Sequence, residues 1–291
     1  MRALFVTTQT NDTHNHIDAW DSVSDTPAKR VHFYYRRATL GNDAYILRKA
    51  RGCGEVDVIF YIGANAGEGL PSFETLRELR RIAPVVNIIS DAADKPWHRP
   101  IARYRKEECF DLQVGIDGDP DSPVDHVTLT PVDARPWDAV NVERDIRCGF
   151  SGNASGKRAE VLQAVGSRCF IRLRGDDYQD HVEFSKRCRM ILNVSYTGSG
   201  NSYHVKGRVT EAGYAGAALI ESSSSPTRHW FPKHCYPIYR NIDDLLSVLD
   251  TLSEERIADY AAKLSQVVRE KYNAAAIYGG ILGKTCVGNP F

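Results

Sequence analysis

The chain has 291 residues, and its 37 Lys and Arg residues balance 37 Asp and Glu residues, so its formal net charge is zero. This neutrality argues against a protein whose whole surface binds nucleic acid or membrane. With 42% hydrophobic and 25% charged residues, the composition excludes disordered and fibrous classes. The length suits one large domain or two of about 140 residues.

No apolar stretch approaches the roughly 18–20 residues that span a bilayer, and the apolar run at 1–6 passes directly into polar residues. These features predict a cytoplasmic protein without a membrane span. The seven cysteines are scattered and contain no C-x-x-C pair. An odd set of this kind predicts reduced and mostly buried thiols rather than disulfide bonds or a zinc site.

The first half alternates short β-branched or aromatic runs with helical patterns. Strands are predicted over 3–7, 30–35, 56–62, 85–90, 112–116 and 127–129. Helices are predicted over 42–51 and 72–82, where apolar residues recur every three or four positions and Ser72 stands at the N-cap position of the second helix. This order predicts a parallel sheet with helices on its faces. The Pro-rich stretch 130–137 lacks periodicity and is predicted to link two domains.

The second half repeats the alternation. Strands are predicted over 146–150, 169–173, 190–194, 217–221 and 236–239, and helices over 157–165, 178–187, 208–215, 242–252 and 254–271. Two successive β/α units are more economical than one large sheet. We therefore predict domains at 1–138 and 139–272, with a last segment at 273–291 that packs back on the first domain.

A glycine-rich loop, residues 151–156, follows the strand predicted at 146–150 and leads into a helix that opens with Lys157 and Arg158. In this geometry backbone N–H groups and the dipole at the helix N-terminus hold phosphate, and the two cations would add to the attraction. A plain turn with two surface cations explains the pattern equally well, because neither a Walker motif nor a dinucleotide-binding motif is complete.

A second glycine-rich loop, residues 195–206, leads into a helix that carries Arg208 and Glu211. Three positions apart on a helix, the two side chains point to nearly one face. A cation there would meet a diphosphate while the carboxylate accepts hydrogen bonds from a ribose diol. A surface ion pair between the two is the alternative. Gly207 and Gly213 favour the ligand site, because small residues permit close approach of the backbone to a strand and a ligand.

Three stretches of the second half carry a family resemblance: 188–195 (CRMILNVS), 207–220 (GRVTEAGYAGAALI) and 239–245 (YRNIDDL). In order and spacing they resemble the C-terminal half of GT-B glycosyltransferases, most closely the CgeB-like, glycosyltransferase-family-one group. The resemblance covers about residues 146–285, and the first half resembles the family mainly in its alternation of strands and helices. It implies an α/β protein of the GT-B fold, with two Rossmann-like parallel-sheet domains facing a cleft.

The resemblance implies a hexosyl- or pentosyltransferase that moves a sugar from a nucleotide-diphosphate donor, with a UDP-sugar as the leading choice, to a hydroxyl acceptor. Glu211 would hold the donor ribose, and Arg208 with Lys206 would hold the diphosphate. The implied donor-binding residues are Ser151, Gly152, Asn153, Arg158, Arg174, Gly198, Lys206, Arg208 and Glu211.

The resemblance also implies that no metal or other cofactor is needed, because cations and helix N-termini can stabilise the leaving diphosphate. The pair Asp176 and Asp177 lacks the spacing of a D-x-D motif and is interpreted as a helix cap. One position departs from the family pattern. Many retaining members carry two glutamates eight positions apart, and Tyr203 stands where the first would precede Glu211. The anomeric outcome is therefore left open.

A catalytic base would come from the first domain, where four side chains are candidates. His14, His16 and Asp18 lie in the loop predicted after the first strand, and Asp91 follows the strand at 85–90. Parallel sheets place ligands at the carboxyl ends of their strands, and a side chain there would deprotonate an acceptor hydroxyl. A polar surface loop explains the first three equally well. The His-x-His pair would suit a metal, but no third ligand is evident.

Two alternative functions stay open. Residues 29–51 contain seven Lys or Arg residues with interleaved aromatics, which would suit a phage-type enzyme that glycosylates a modified DNA base. A solvated charged face explains the same stretch. The acceptor is thus predicted only as a hydroxyl on a small molecule, glycan, protein or modified DNA. From another class, the chain would be a non-catalytic nucleotide-binding module.

Overall fold

The computed structural model describes residues 1–8, 14–33, 39–63, 69–173, 177–196, 203–205 and 207–285. The strands are β1 (Ala3–Thr8), β2 (Lys29–Phe33), β3 (Val58–Ile62), β4 (Val85–Ile89), β5 (Leu112–Gly115), β6 (His126–Val127), β7 (Ile146–Ser151), β8 (Phe170–Arg172), β9 (Cys188–Leu192), β10 (Ala218–Ser222) and β11 (Ile238–Tyr239). The helices are α1 (His14–Asp21), α2 (Thr39–Gly52), α3 (Phe73–Arg80), α4 (Lys95–Lys106), α5 (Ala134–Ala139), α6 (Lys157–Val165), α7 (Tyr178–Arg187), α8 (Gly207–Ala215), α9 (Ile242–Thr251), α10 (Glu254–Lys271) and α11 (Ala274–Leu282).

The chain divides into two compact units, each built on one parallel sheet. The first unit comprises residues 1–117, 121–133 and 274–291, and the second comprises 118–120 and 134–273, whereas the sequence placed the domain boundaries at 138 and 272. The first sheet has the order β2-β1-β3-β4-β5-β6, and the second has the order β11-β10-β9-β7-β8. Neighbouring strands pair in parallel throughout both sheets.

Aromatic rings form part of the core of the first unit. Phe5 on β1 stacks on Phe60 of β3, with centroids 4.9 Å apart, and Trp20 packs against Phe60 at 5.5 Å. Tyr278 on α11 meets the Trp20 ring edge-on at 5.1 Å. Its hydroxyl donates a hydrogen bond to the backbone oxygen of His16 at 2.5 Å. These contacts hold α11, near the end of the chain, in the first unit.

The loop predicted after the first strand, which holds His14, His16 and Asp18, is wrong for the part that the structure describes, because residues from His14 onward form α1. Ile17 and Trp20 are buried one helical turn apart, which is enough to fix the helix on the sheet. Their polar neighbours hide this short period in the sequence. The predicted linker is likewise partly helical, since α5 begins at Ala134 and buries Trp137 completely.

Two helix starts confirm their predicted caps. The Ser72 hydroxyl accepts a hydrogen bond from the Thr75 backbone N–H at 3.2 Å, and the Asp177 carboxylate accepts one from the Gln179 N–H at 2.8 Å. No element was predicted over α4, because Pro100 lies inside that helix and proline normally interrupts helices.

The second sheet reverses its strand order at β7, since the chain passes from β7 to β8 on one side and then to β9 on the other. In open parallel sheets, ligands bind outside the carboxyl ends of the strands at such a switch point. The loops after β7 and β9 and the start of α8 therefore mark the edge where a site is expected. Among the described residues, no helix combines the length and apolar character that crossing a membrane would require.

Candidate functional site

Arg208, in the first turn of α8, extends its guanidinium across the carboxyl ends of β7 and β9. The Nε atom donates to the Ser151 backbone oxygen at 2.7 Å, and Nη1 donates to Asn193 Oδ1 at 3.0 Å. The guanidinium also lies over the Phe150 ring, 4.8 Å from its centroid. The residue as a whole is half-buried, but protein encloses the guanidinium itself. These contacts fix the orientation of a cation at the expected edge.

The charge of Arg208 is held at an energetic cost. Burial lowers the pKa of Arg208 to about 10, and the like charge of Arg158 lowers it further, while Glu211 and Glu221 act in the opposite direction. The guanidinium stays charged at neutral pH, yet its two hydrogen bonds above go to neutral acceptors. A bound anion would offset the cost of burial and of repulsion, so the arrangement favours an anionic ligand.

Glu221, at the end of β10, is a fully buried carboxylate. It accepts hydrogen bonds from Asn193 Nδ2 at 2.7 Å, Ser195 Oγ at 2.6 Å, Thr227 Oγ1 at 2.9 Å and the Ser222 backbone N–H at 2.8 Å. Burial raises the pKa of Glu221 in spite of these donors. Asn193 thus donates to Glu221 and accepts from Arg208. We call the chain Arg208, Asn193 and Glu221 the arginine relay.

His181, on α7, joins the first loop to α8. Its Nδ1 lies 3.1 Å from Ser151 Oγ, and its Nε2 lies 3.2 Å from Glu211 Oε2. Ser151 and Glu211 are each only 8% exposed, so the alternative of a surface ion pair at Glu211 is wrong. We call the group Ser151, His181 and Glu211 the histidine bridge. The histidine bridge thus holds the buried Glu211 carboxylate near the N-terminal end of α8, the end that attracts anions.

Gly152 must be glycine for the site to form. Its φ of +142° lies in the region that favours glycine, and a Cβ atom there would overlap the Arg208 guanidinium. Arg158 donates to the backbone oxygen of Asn153 at 2.9 Å and to that of Tyr196 at 3.1 Å. These bonds tie the loop after β7 to the start of the second glycine-rich loop.

Tyr203, the position that departs from the family pattern, pairs with Tyr196. The two hydroxyl oxygens are 2.7 Å apart and the ring centroids 4.5 Å apart. The backbones of the two residues also form an antiparallel bridge. Tyr203 thus has a structural contact at the position where the family pattern has the first of its two glutamates.

Most of the predicted donor-binding residues meet at this edge. The structure brings together Ser151, Gly152, Asn153, Arg158, Arg208 and Glu211. The remaining three, Arg174, Gly198 and Lys206, lie outside the described residues. His181, Asn193 and Glu221 are site residues that the sequence did not predict. Asn193 stood within the stretch 188–195 that carried the resemblance, whereas His181 gave no signal beyond its place on a helix.

The four predicted catalytic side chains of the first unit are placed differently from one another. His16 is 2% exposed, its Nδ1 has no hydrogen-bond partner among the described residues, and burial lowers its pKa to about 4. Asp18 pairs at the surface with Arg30, at 3.3 Å. Asp91 is half-buried just beyond the carboxyl end of β4, with a φ of +55°. The side chain of His14 lies outside the described part of the chain.

The basic stretch 29–51 uses several of its cations for contacts within the chain. Lys29 Nζ donates to the backbone oxygen of Glu55 at 3.2 Å, Arg30 also pairs with Asp21 at 3.0 Å, and Arg51 pairs with Glu78 at 3.3 Å. Arg36 and Arg37 lie outside the described residues. The described contacts favour a charged structural face over a nucleic-acid surface.

Comparison with known proteins identifies the segment that carries Arg208, Glu211 and His181. Residues 158–282, which include α7, α8 and β10, match the family model described as glycosyl transferase-like. The resemblance to GT-B glycosyltransferases is thereby confirmed, while the narrower CgeB-like assignment stays a prediction. Among curated protein sequences, none matches the chain.

Solved structures match the chain over nearly its whole length. The crystal structure of Anabaena Alr3699/HepE in complex with UDP-glucose has a TM-score of 0.63 at 10% identity, covering 97% of this chain and 98% of that one. Trehalose-6-phosphate synthase OtsA has a TM-score of 0.65 at 9% identity, covering 98% and 99%. A glycosyltransferase from Rickettsia africae has a TM-score of 0.58 at 10% identity, covering 97% and 96%. At these identities the likeness shows the fold, and the predicted GT-B fold is confirmed.

Proposed function

We propose that the protein transfers a sugar from a UDP-sugar to a hydroxyl group of an acceptor. The observation that carries the proposal is the enclosed guanidinium of Arg208, whose two hydrogen bonds go to neutral acceptors and whose burial and like-charged neighbour Arg158 are offset only in part by Glu211 and Glu221. It lies at the carboxyl edge of the second sheet, in a segment that matches the glycosyl transferase-like family. The similar fold of Anabaena HepE, solved with UDP-glucose, supports UDP as the nucleotide.

Each part of the edge then has a role toward the donor. Arg208 and Arg158 face the diphosphate, joined by Lys206 as the resemblance implies. The buried Glu211 carboxylate accepts hydrogen bonds from the ribose hydroxyls. Ser151, Gly152 and Asn153 form the loop under the phosphates, and Arg174 and Gly198, which lie outside the described residues, stay predicted donor contacts.

Departure of UDP requires stabilisation of negative charge on the diphosphate. Two guanidiniums at the start of α6 and α8, with the positive ends of both helix dipoles, supply positive potential at this place. We therefore propose that transfer proceeds without a divalent metal. The stronger effect would come from Arg208, because an enclosed charge is screened less by solvent than an exposed one.

Asp91 fits the role of general base best among the described candidates. Asp91 is a half-buried residue two positions beyond the end of β4, and its carboxylate would take the proton of the acceptor hydroxyl as that oxygen attacks the anomeric carbon. His16 is a weaker candidate, because a pKa near 4 makes the ring a poor proton acceptor and its surface is closed. The Asp18 carboxylate forms a surface ion pair with Arg30, which makes it a weaker candidate as well.

Isothermal titration with UDP and UDP-glucose tests the donor site. The wild type is expected to bind both, and Glu211→Ala is expected to weaken UDP binding about tenfold or more, because hydrogen bonds to a buried carboxylate are lost. The matched control is Glu255→Ala on the exposed face of α10, with unchanged affinity. Absence of binding to both ligands would overturn the proposal.

Release of glucose from UDP-glucose without an added acceptor separates an enzyme from a nucleotide-binding module. We expect slow release by the wild type, since water can replace the acceptor hydroxyl. Tight UDP-glucose binding with no release, under any acceptor mixture tried, would favour the non-catalytic module instead.

A further inference from the structure

We infer that His181 is a positioning residue of the donor site, which orients Glu211 toward the ribose diol and holds the Ser151 hydroxyl through its other ring nitrogen. The inference rests on the proposed function and extends it to a residue that would not itself touch the sugar ring being transferred. What supports it is the histidine bridge, in which one imidazole contacts both a loop residue of β7 and a carboxylate of α8.

With a neutral ring and an ionised Glu211, the two contacts assign the ring proton to Nε2. An ionised Glu211 only accepts hydrogen bonds, so Nε2 must be the donor in the contact at 3.2 Å. In the neutral ring Nδ1 is then an acceptor, and the Ser151 hydroxyl donates to it across 3.1 Å. The hydroxyl proton of Ser151 is thereby directed at His181, and its oxygen lone pairs are directed away from it.

The ring has little freedom to leave this orientation. The Trp137 ring stands perpendicular to it, with centroids 6.0 Å apart, and Tyr178 packs at 6.1 Å. Trp137 is fully buried, and its Nε1 donates to the Tyr178 hydroxyl at 3.1 Å. Because these rings are themselves held, a flip of His181 would break both polar contacts of the histidine bridge. The bridge therefore presets the Glu211 carboxylate before a ligand arrives.

Two substitutions separate the two contacts. A glutamine amide reaches the position of the histidine Nε2, so His181→Gln retains a donor for Glu211 and loses the contact with Ser151. An asparagine amide reaches only the position of Nδ1, so His181→Asn retains the contact with Ser151 and loses the one with Glu211. The probes are UDP and 2′,3′-dideoxy-UDP, which differ only in the ribose hydroxyls.

The quantity to measure is the ratio of the two dissociation constants, dideoxy-UDP over UDP, by titration calorimetry. We expect a ratio of about ten or more in the wild type and in His181→Gln, because Glu211 then remains aimed at the diol. In His181→Asn the ratio is expected to fall toward about one to three. His234→Asn, an exposed histidine of the same unit, is the control and should retain the wild-type ratio.

A purely structural role predicts a different result. General loosening of the unit weakens both ligands equally, so an unchanged ratio in His181→Asn would overturn the inference. A reduced ratio in His181→Gln would also overturn it, which keeps the test decisive if His181→Asn does not fold. If the wild type itself fails to bind UDP, or binds it no better than dideoxy-UDP, the proposed donor site is wrong. If the wild type prefers UDP and both substitutions keep that preference, only the role of His181 is wrong.

Discussion

The carboxyl edges of the two parallel sheets carry their polar side chains in different ways. At the second edge the arginine relay and the histidine bridge connect the groups through hydrogen bonds between side chains. At the first edge, His16 is closed off in the core and Asp91 follows β4 in a half-exposed position. A connected network presets charges for one fixed ligand. The difference indicates that the second edge presents a connected polar cluster, whereas the two described candidates at the first edge, His16 and Asp91, are placed separately.

The largest expected effect is at the first edge. Asp91→Asn removes the proposed base and is expected to slow glucose release from UDP-glucose by about 10²–10⁴-fold, the usual range for losing general base catalysis. Affinity for UDP should stay at the wild-type value, because the diphosphate contacts lie in the other unit. Asp25→Asn, at an exposed position of the first unit, is the control. A normal rate in Asp91→Asn would move the base elsewhere.

A pH effect on stability is expected from His16. Its folded-state pKa of about 4 lies below the ordinary value of 6.5, so between these pH values the unfolded chain binds a proton and the folded chain does not. The free energy of unfolding therefore falls as pH falls through this interval, by up to about 3 kcal/mol. When urea unfolding is measured at pH 7.5 and at pH 4.5, the free energy of unfolding should fall less between the two in His16→Leu than in the wild type. Equal pH dependence in the two proteins would contradict the buried neutral ring.

At the second edge, Arg208→Met is expected to raise the dissociation constant of UDP about 10–100-fold, since charge-assisted bonds to the diphosphate are lost. Arg208→Lys should show a smaller loss, because lysine keeps the charge without the planar fork. Arg228→Met, at an exposed position of the same unit, serves as the control for titration calorimetry. Wild-type affinity in Arg208→Met would mean that the diphosphate lies elsewhere.

The smallest effect is expected for Asp18→Asn. Both partners of its pair with Arg30 are about two-fifths exposed, with side-chain values of 39% for Asp18 and 41% for Arg30. Exposed pairs of this kind contribute between roughly 0 and 1 kcal/mol. Thermal unfolding and glucose release should both stay close to wild type. A loss of activity comparable to that of Asp91→Asn would place the base on α1 and remove the distinction drawn for the first edge.

The sequence predicts best those elements whose information is local. Helix α10 has the same bounds in sequence and structure, because Ile257, Ala261, Leu264 and Val268 recur every three or four positions and the Ser253 hydroxyl caps the start. Helix α1 was missed, since two buried apolar residues among polar ones make no clear period. Propensity and periodicity use only the residues within a segment, so they cannot identify a short helix that is fixed by contacts with distant residues.

The same limit applies to the site. Arg208 and Glu211 are neighbours on one helix, and the family resemblance assigns a role to each of them from the sequence. His181 reaches Ser151 and Glu211 across 30 positions in each direction, and Glu221 reaches Asn193 across 28. Such contacts depend on how the strands are ordered in the sheet, which no local pattern states. The predicted bounds of α6 and α7 match the observed ones, whereas those of α8 and of the strands of the second sheet differ by one or two residues at one end or both.

A crystal structure of the wild-type protein with UDP tests the central claim most directly, namely that the carboxyl edge of the second sheet is a preset diphosphate and ribose site. We predict phosphate oxygens within hydrogen-bond distance of the Arg208 guanidinium, and both ribose hydroxyls on the Glu211 carboxylate. The arginine relay and the histidine bridge should keep their present contacts. UDP bound away from Arg208 and Glu211, or bound only after these side chains change partners, would contradict the account.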